Sequence, residues 1–334
     1  MRSRLVLCCA VLSALGSACA PDINPASTTS SPTPPQDGAD PRIAMSIHVE
    51  GWQLEAGEQV QFQAHVAQLL ELASTANDHG AVLTFELSPV FTQAVSTWHS
   101  DVLDQLVSLG HELAIHADVG GQGEPTLVEM VDQLQAQIAR FEAATGQRTD
   151  HVSGICSRGP WVEAAVEAGF TSMAGGVEYC MTSLAPEHVP EGFEWIAGCA
   201  SPSVCHGPVP VPVEQAAPGW WASSSDDWIV DRTTGDLLIL TGPLEGGLAC
   251  FTYDDGGPCP DQADDLATVE TMVERYAATA ASEGTTTVLP LTWSVGRVPA
   301  EGFAEALFST VEDMVLAGTV DWIGLPSAAR SLGA

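Results

Sequence analysis

Short apolar runs alternate with longer amphipathic segments from residue 43 to residue 325, and this alternation limits the fold more than any other feature of the chain. The runs fall at 43–49, 81–87, 113–117, 151–156, 170–174, 237–240, 285–291 and 320–325. Each has the length of one strand and is apolar enough to be covered on its faces, as strands of parallel sheets are. Helical periodicities lie between them. In 58–77, Phe62, Val66, Leu69, Leu70 and Ala73 share one face. After Pro89, segment 90–109 carries a helix with Val102, Leu103, Leu106 and Val107. In 125–145, Leu127, Met130, Val131, Leu134, Ile138 and Phe141 recur at three- and four-residue steps up to Gly146. Further helices read at 160–168, 262–281 and 303–317. Repeated strand–helix units predict an α/β chain of about seven parallel strands, closed or nearly closed into a distorted (β/α) barrel.

The rhythm breaks once. Residues 175–235 are rich in Pro, Cys and Trp and lack clean periodicity, so they read as an irregular insertion. After Cys19 the cysteines are Cys156, Cys180, Cys199, Cys205, Cys250 and Cys259. An even set in an exported chain predicts disulfides, and sequence leaves their connectivity open. Pairing of neighbours is simplest: Cys156 with Cys180, Cys199 with Cys205, Cys250 with Cys259. Trp195, Trp220, Trp221 and Trp228 read as packing residues, with a sugar-stacking platform as the sharper alternative.

The amino terminus reads as an address. Arg2 and Arg4 precede an apolar run at 5–15, then Gly16-Ser17-Ala18-Cys19. This predicts a signal peptide over 1–19 of the lipoprotein kind, with Cys19 lipidated; ordinary secretion with cleavage near Ala18 or Ala20 is the alternative. The Pro/Ser/Thr-rich stretch 20–41 reads as a disordered linker before a domain at 42–334. The expected place is the cell envelope, on the outer membrane or cell surface, held by a lipid anchor only.

With 43 acidic against 10 basic residues the net charge is −33. Such a surface repels nucleic acid. The chain contains no lysine, which excludes Schiff-base and P-loop lysine chemistry. No Gly-x-Ser-x-Gly elbow and no Rossmann or Walker glycine pattern occurs.

Three strand ends bring polar groups to the carboxyl side, where barrels of this kind place their chemistry. The first, Ser46-Ile47-His48-Val49-Glu50-Gly51-Trp52, offers His48 and Glu50. The second ends at Glu86, which by itself reads as a solvated or ion-paired rim residue. The third, Leu109 to Asp118, delivers His116 and Asp118, two apart and so on one face of a strand. Two imidazoles with one to three carboxylates suit zinc or a similar divalent metal. His111 reads as capping the turn before its strand, and His65, His79 and His99 as surface residues. His151, His188 and His206 stay unplaced.

These segments resemble the polysaccharide deacetylase family, the NodB homology domain. Ser46 to Trp52 stands where that family has a Thr-Phe-Asp-Asp-Gly or Asp-Val-Glu-Asp-Trp strand. Val82-Leu83-Thr84-Phe85-Glu86 resembles its second strand, and Gly110-His111-Glu112 leads to His116 as its Gly-His-Glu strand leads to a metal-binding His-x-x-x-His. Ala168-Gly169-Phe170 and Val320-Asp321-Trp322-Ile323 are similar too. The resemblance implies a NodB-like barrel in which a metal activates water against an acetamide or acetyl ester on a sugar polymer. It puts the family's base aspartate at His48 and its metal carboxylate at Glu50. It puts the second metal His at Gly120, and the late Leu-x-His at Leu291-Thr292-Trp293, which lacks a His. Tyr253-Asp254-Asp255-Gly256 mimics the first motif but comes late, and reads as a turn.

Two functions follow. One is a metal-dependent deacetylase removing N- or O-acetyl groups from an envelope or exported amino-sugar polysaccharide. There Glu50 and His116 bind metal, His48 or Asp118 is the third ligand with the other as base, and Glu86 is a further candidate. The other is an inactive deacetylase-like domain that binds glycan or a protein partner at the envelope.

Overall fold

The computed structural model describes residues 39–50, 54–121, 123–253, 257–294 and 300–334. The expected signal, Cys19 and nearly all of the expected linker lie outside the described residues, as do Gly51, Trp52 and the 254–256 turn. The first strand begins at Asp40, slightly before the expected boundary.

The strands are β1 (Asp40–Val49), β2 (Leu83–Leu87), β3 (Glu112–His116), β4 (His151–Ser153), β5 (Ser172–Ala174), β6 (Trp220–Ala222), β7 (Leu237–Leu240), β8 (Thr286–Ser294) and β9 (Asp321–Trp322). The helices are α1 (Gln59–Asp78), α2 (Pro89–Trp98), α3 (Val102–Ser108), α4 (Leu127–Thr145), α5 (Trp161–Ala168), α6 (Val213–Ala216), α7 (Ala249–Thr252), α8 (Gln262–Glu283), α9 (Phe303–Leu316) and α10 (Leu325–Ser331). Their local signals are plain in α4. Thr126 accepts from Glu129 N while the Glu129 carboxylate takes Thr126 N, and Gly146 ends the helix at φ +66°.

Two expectations change. The helix expected in 90–109 is two helices, because His99 turns left-handed (φ 51°) and the chain restarts at Asp101. The last strand pairs only through Asp321 and Trp322, and α10 follows, with Pro326 in its first turn.

The sheet order is β6-β7-β5-β4-β3-β2-β1-β8, with β9 also on β1. Every pairing is parallel except β6 with β7. This is the expected α/β fold of parallel strands, but no ladder joins β7 or β6 to β8 among the described residues. The gap is narrowed by packing: Val288 N donates to Ala217 O at 2.7 Å, and a Cβ on Gly242 would lie 3.0 Å from the Pro290 ring.

Strand register sorts the side chains into two faces. Ile43, Met45, Ile47, Leu83, Phe85, Leu113, Ile115, Leu289 and Leu291 join the main core with the surrounding helices. The other face, the lumen, carries His48 beside Glu86 and Ser294, and His116 beside Ser153. At the amino-terminal end α10 plugs the lumen, its Leu325, Ala328 and Ala329 against Ala44, Ala174, Leu238, Leu240 and Val288. The carboxyl end is left for chemistry.

The insertion holds 3-10 turns at Glu178–Ser183, Pro186–His188 and Glu194–Gly198, then α6 and β6. All three neighbour disulfides form: Cys156–Cys180, Cys199–Cys205 and Cys250–Cys259. Trp161, Trp220 and Trp228 are fully buried, with Trp228 edge-on to Trp161 and stacked on Trp220. Three of these large rings thus serve packing, whereas Trp195 stays half exposed.

Candidate metal centre

His48 and Glu50 leave the end of β1, and His116 ends β3. One ligand atom from each lies within 4.8 Å of the others. A common point therefore sits within about 3 Å of all three, close to the ~2.0–2.2 Å reach of a zinc ligand. Glu50 Oε2 is 3.0 Å from His116 Nε2, and the imidazoles of His48 and His116 lie 4.4 Å apart between centroids. Ser294 donates to the other Glu50 oxygen at 2.8 Å. Burial opposes charge on Glu50, but the hydrogen bond and charge of His116, then His48 and Ser294, outweigh it and hold its carboxyl far below the usual range.

Behind these groups lies a buried network. His116 Nδ1 pairs with Ser153 Oγ at 2.9 Å, and that hydroxyl donates to Glu86 Oε2 at 2.6 Å. Glu86 Oε2 is 2.8 Å from His48 Nε2, and its Oε1 is 3.3 Å from His151 Nε2. Burial resists the charge on Glu86, but the two imidazoles overcome it and keep the group ionised. His48 shows the converse: burial lowers its pKa, Glu86 and then Glu50 raise it more, and the net direction is up. His151 Nδ1 in turn meets Ser172 Oγ at 2.9 Å. Glu86 is therefore not the rim residue its sequence position suggests; it is fully buried at the centre of the lumen.

The residues fit a divalent cation. Two His and one Glu form a borderline-soft donor set of the kind zinc takes. The contacts of His116 with Ser153, and of His48 with Glu86, are the outer partners that orient metal-binding imidazoles.

The other candidates are placed differently. Strand β3 stops at His116, and Asp118 lies in the following loop at φ 51°. The strand alternation that would align Asp118 with His116 is thereby broken. Asp118 is exposed and forms no hydrogen bond or ion pair among the described residues. Gly120 has φ +95°, and a Cβ there would come 2.6 Å from Ser157 Cβ, so the backbone admits no side chain. His65 is buried, not on the surface, with Nδ1 2.7 Å from Glu55 Oε2. His79 is partly covered and contacts Glu312 and Glu305. His111 is buried as well; its Nδ1 accepts from Leu83 N and its Nε2 meets Ala73 O, tying β2 to α1. The cluster of Cys250, Cys259 and Asp265 holds no metal, since the cysteines are bonded to each other and Asp265 accepts from Ala249 N and Cys250 N.

Sequence reasoning missed His151, Ser153, Ser294, Glu245 and His206. The first three had a signal: polar residues at every second position of otherwise apolar strands. His206 and Glu245 come from irregular segments and had none. His206 feels the charges of His48, Glu50 and His116; the protein packed around its ring, then His48, lower its pKa.

Two expected results arise here. Gly154 has φ +67°, and a Cβ on it would meet His116 Cε1 at 2.7 Å. Gly154→Ala should push His116 from the centre and weaken zinc binding by tenfold or more, read by isothermal titration. Unaltered affinity would show that His116 does not bind the ion. Glu245 is fully buried; burial raises its pKa to about 8, the Thr292 hydrogen bond opposes, and Glu86 adds to the rise. A raised carboxyl stabilises the fold below about pH 4.5 and loses that contribution as pH climbs toward 8. The stability advantage of Glu245→Gln over the parent should therefore widen from pH 5 to pH 8 by roughly 3 kcal/mol in urea unfolding. An equal gap at both pH values would contradict a neutral buried Glu245.

Comparison with solved structures decides the fold. A protein from Pseudomonas aeruginosa PAO1 described as a probable polysaccharide deacetylase aligns over 87% of this chain and 90% of its own, with TM-score 0.50 and 12% identity. The chain has the polysaccharide deacetylase fold. The same NodB-like frame also aligns with Puue allantoinase, over 90% of this chain and 94% of that one, with TM-score 0.52 and 13% identity. A branching enzyme from Thermococcus kodakaraensis aligns over 90% and 72%, with TM-score 0.56 and 10% identity. No protein-family model and no curated protein sequence matches the chain. One frame thus carries several chemistries, and function must be argued from the site.

Proposed function

We propose that this chain is a divergent metal-dependent deacetylase that hydrolyses N- or O-acetyl groups on an exported or envelope polysaccharide. The observation that carries the reading is the convergence of His48, Glu50 and His116 at the carboxyl ends of β1 and β3. The deacetylase description of the Pseudomonas neighbour supports the substrate class. Three disulfides agree with export. Lipidation at Cys19 belongs to the same proposal and rests on the 1–19 pattern alone.

In this reading Glu50, His116 and His48 hold the ion. A bound zinc-type ion supplies Lewis acidity toward an acyl carbonyl and water. Ser294 fixes the Glu50 carboxylate, Ser153 fixes the His116 ring, and Glu86 faces His48 from the lumen. The net reaction adds water across the acyl bond, giving acetate and a free amine or hydroxyl on the sugar. Acetate release from acetylated chitooligosaccharides and from acetylated xylan, each with and without added zinc, tests the reading. No acetate from any of them by zinc-loaded protein would refute it.

With His48 among the ligands, Asp118 is the remaining candidate base. It is exposed and has no partner among the described residues to orient it, so Asp118→Asn should lower acetate release less than tenfold. A larger loss at unchanged zinc affinity would make Asp118 the base. The second reading, glycan binding without turnover, is favoured by Gly120, whose backbone leaves no place for a ligating side chain at that position.

A further inference from the structure

The insertion reaches back over the metal centre. Gly175 lies against His48; a Cβ on it would be 3.4 Å from His48 Cε1 and Nε2. Shortly beyond it the chain pairs with the segment around His206. Val177 bridges Pro208, Glu178 N donates to Gly207 O at 2.8 Å, and Tyr179 N donates to Cys205 O at 3.0 Å. His206 is therefore carried in the rung that continues the roof over His48. On its other side it rests on Gly246 (φ +63°), where a Cβ would come 2.6 Å from His206 O and 3.2 Å from its Cδ2.

This loop is braced unusually well for an irregular segment. Cys205 is bonded to Cys199, and Cys180 to Cys156 just beyond β4. Tyr179 Oη donates to Gly121 O at 2.6 Å, and Arg158 donates to Cys199 O at 2.6 Å. His206 as a residue stays exposed to solvent. It lies within the electrostatic reach of His48, Glu50 and His116 but outside their mutual ligand spacing. An imidazole so placed stands outside the cation set.

We propose that His206, supplied by the disulfide-braced insertion, contacts the acyl group of a ligand bound at His48, Glu50 and His116. The site then has a floor of cation-binding groups from β1 and β3 and a polar cover from the insertion. The ligand class is a small acyl group such as acetyl, its oxygen toward the floor and its substituent beside His206. This rests on the metal-centre reading above.

The test uses zinc and acetohydroxamic acid as probes on the exported domain with its disulfides intact. Zinc affinity, and acetohydroxamate affinity of the zinc-loaded protein, are measured by titration for the parent, His206→Ala and His206→Gln. Loss of a hydrogen bond to the bound probe should weaken acetohydroxamate about tenfold or more in His206→Ala. Less should be lost in His206→Gln, and zinc affinity should stay within about threefold. Unchanged acetohydroxamate affinity in both variants overturns the role of His206 and leaves the metal centre standing. Zinc uptake by the parent without acetohydroxamate binding overturns it too. A parent that takes up no zinc overturns both readings at once.

Discussion

His116→Ala is expected to strip the protein of zinc and to cut acetate release by well over the 10–100-fold that outer-shell changes cost. Among the described residues, His116 is the imidazole that touches the Glu50 carboxylate directly, at 3.0 Å, while its far nitrogen is fixed by Ser153. Removing it leaves Glu50 and His48 without the group that closes the set. Elemental analysis of protein purified without chelator gives the decisive number. Near-stoichiometric zinc in the variant would show that the ion sits elsewhere, and would end the case for this centre. His116 is buried and paired with Ser153, so urea unfolding of the variant is measured alongside to separate loss of the ion from loss of the fold.

The second large effect concerns the lumen rather than the mouth. Glu86→Ala should cost about 3–5 kcal/mol of stability near neutral pH, the range for breaking a buried ion pair by deleting one partner. Glu86 is fully buried between His48 and His151 and also accepts from Ser153. Its deletion leaves two buried imidazoles facing each other across an emptied space. Urea unfolding of the metal-free protein measures the change apart from zinc. A loss under about 1 kcal/mol would mean that the imidazoles do not depend on that carboxylate for their stability. Glu86→Gln, which keeps the volume, should fall between parent and Ala.

Much of this molecule is legible along the chain. The strand runs are short and apolar because both faces of a parallel sheet are covered, so periodicity and length announce them without tertiary information. The α4 helix carries its own start and stop in Thr126, Glu129 and Gly146. The even cysteine set announces disulfides, and the bonds formed are the simplest neighbour pairing, although the sequence left the connectivity open. His48, Glu50 and His116 stand out because strand ends are where barrels expose polar side chains.

Other features depend on register and packing, which no local pattern encodes. Whether Glu86 faces solvent or the lumen turns on its pairing beside His48 and Ala114. Asp118 leaves the face of His116 because β3 ends before it and the backbone turns left-handed. The α10 plug follows from the need to close the lumen's apolar end, a need visible only once the strands are curled. His206 and Glu245 reach the centre through loops whose course is set by disulfides and glycine contacts rather than by periodicity. The sequence by itself determined the α/β alternation, an even set of cysteines fit for disulfides and three residues at strand ends, because those are local properties. Only the tertiary structure decided which polar groups meet, because contacts between distant strands and loops depend on register, and a shift of one residue reverses every side chain.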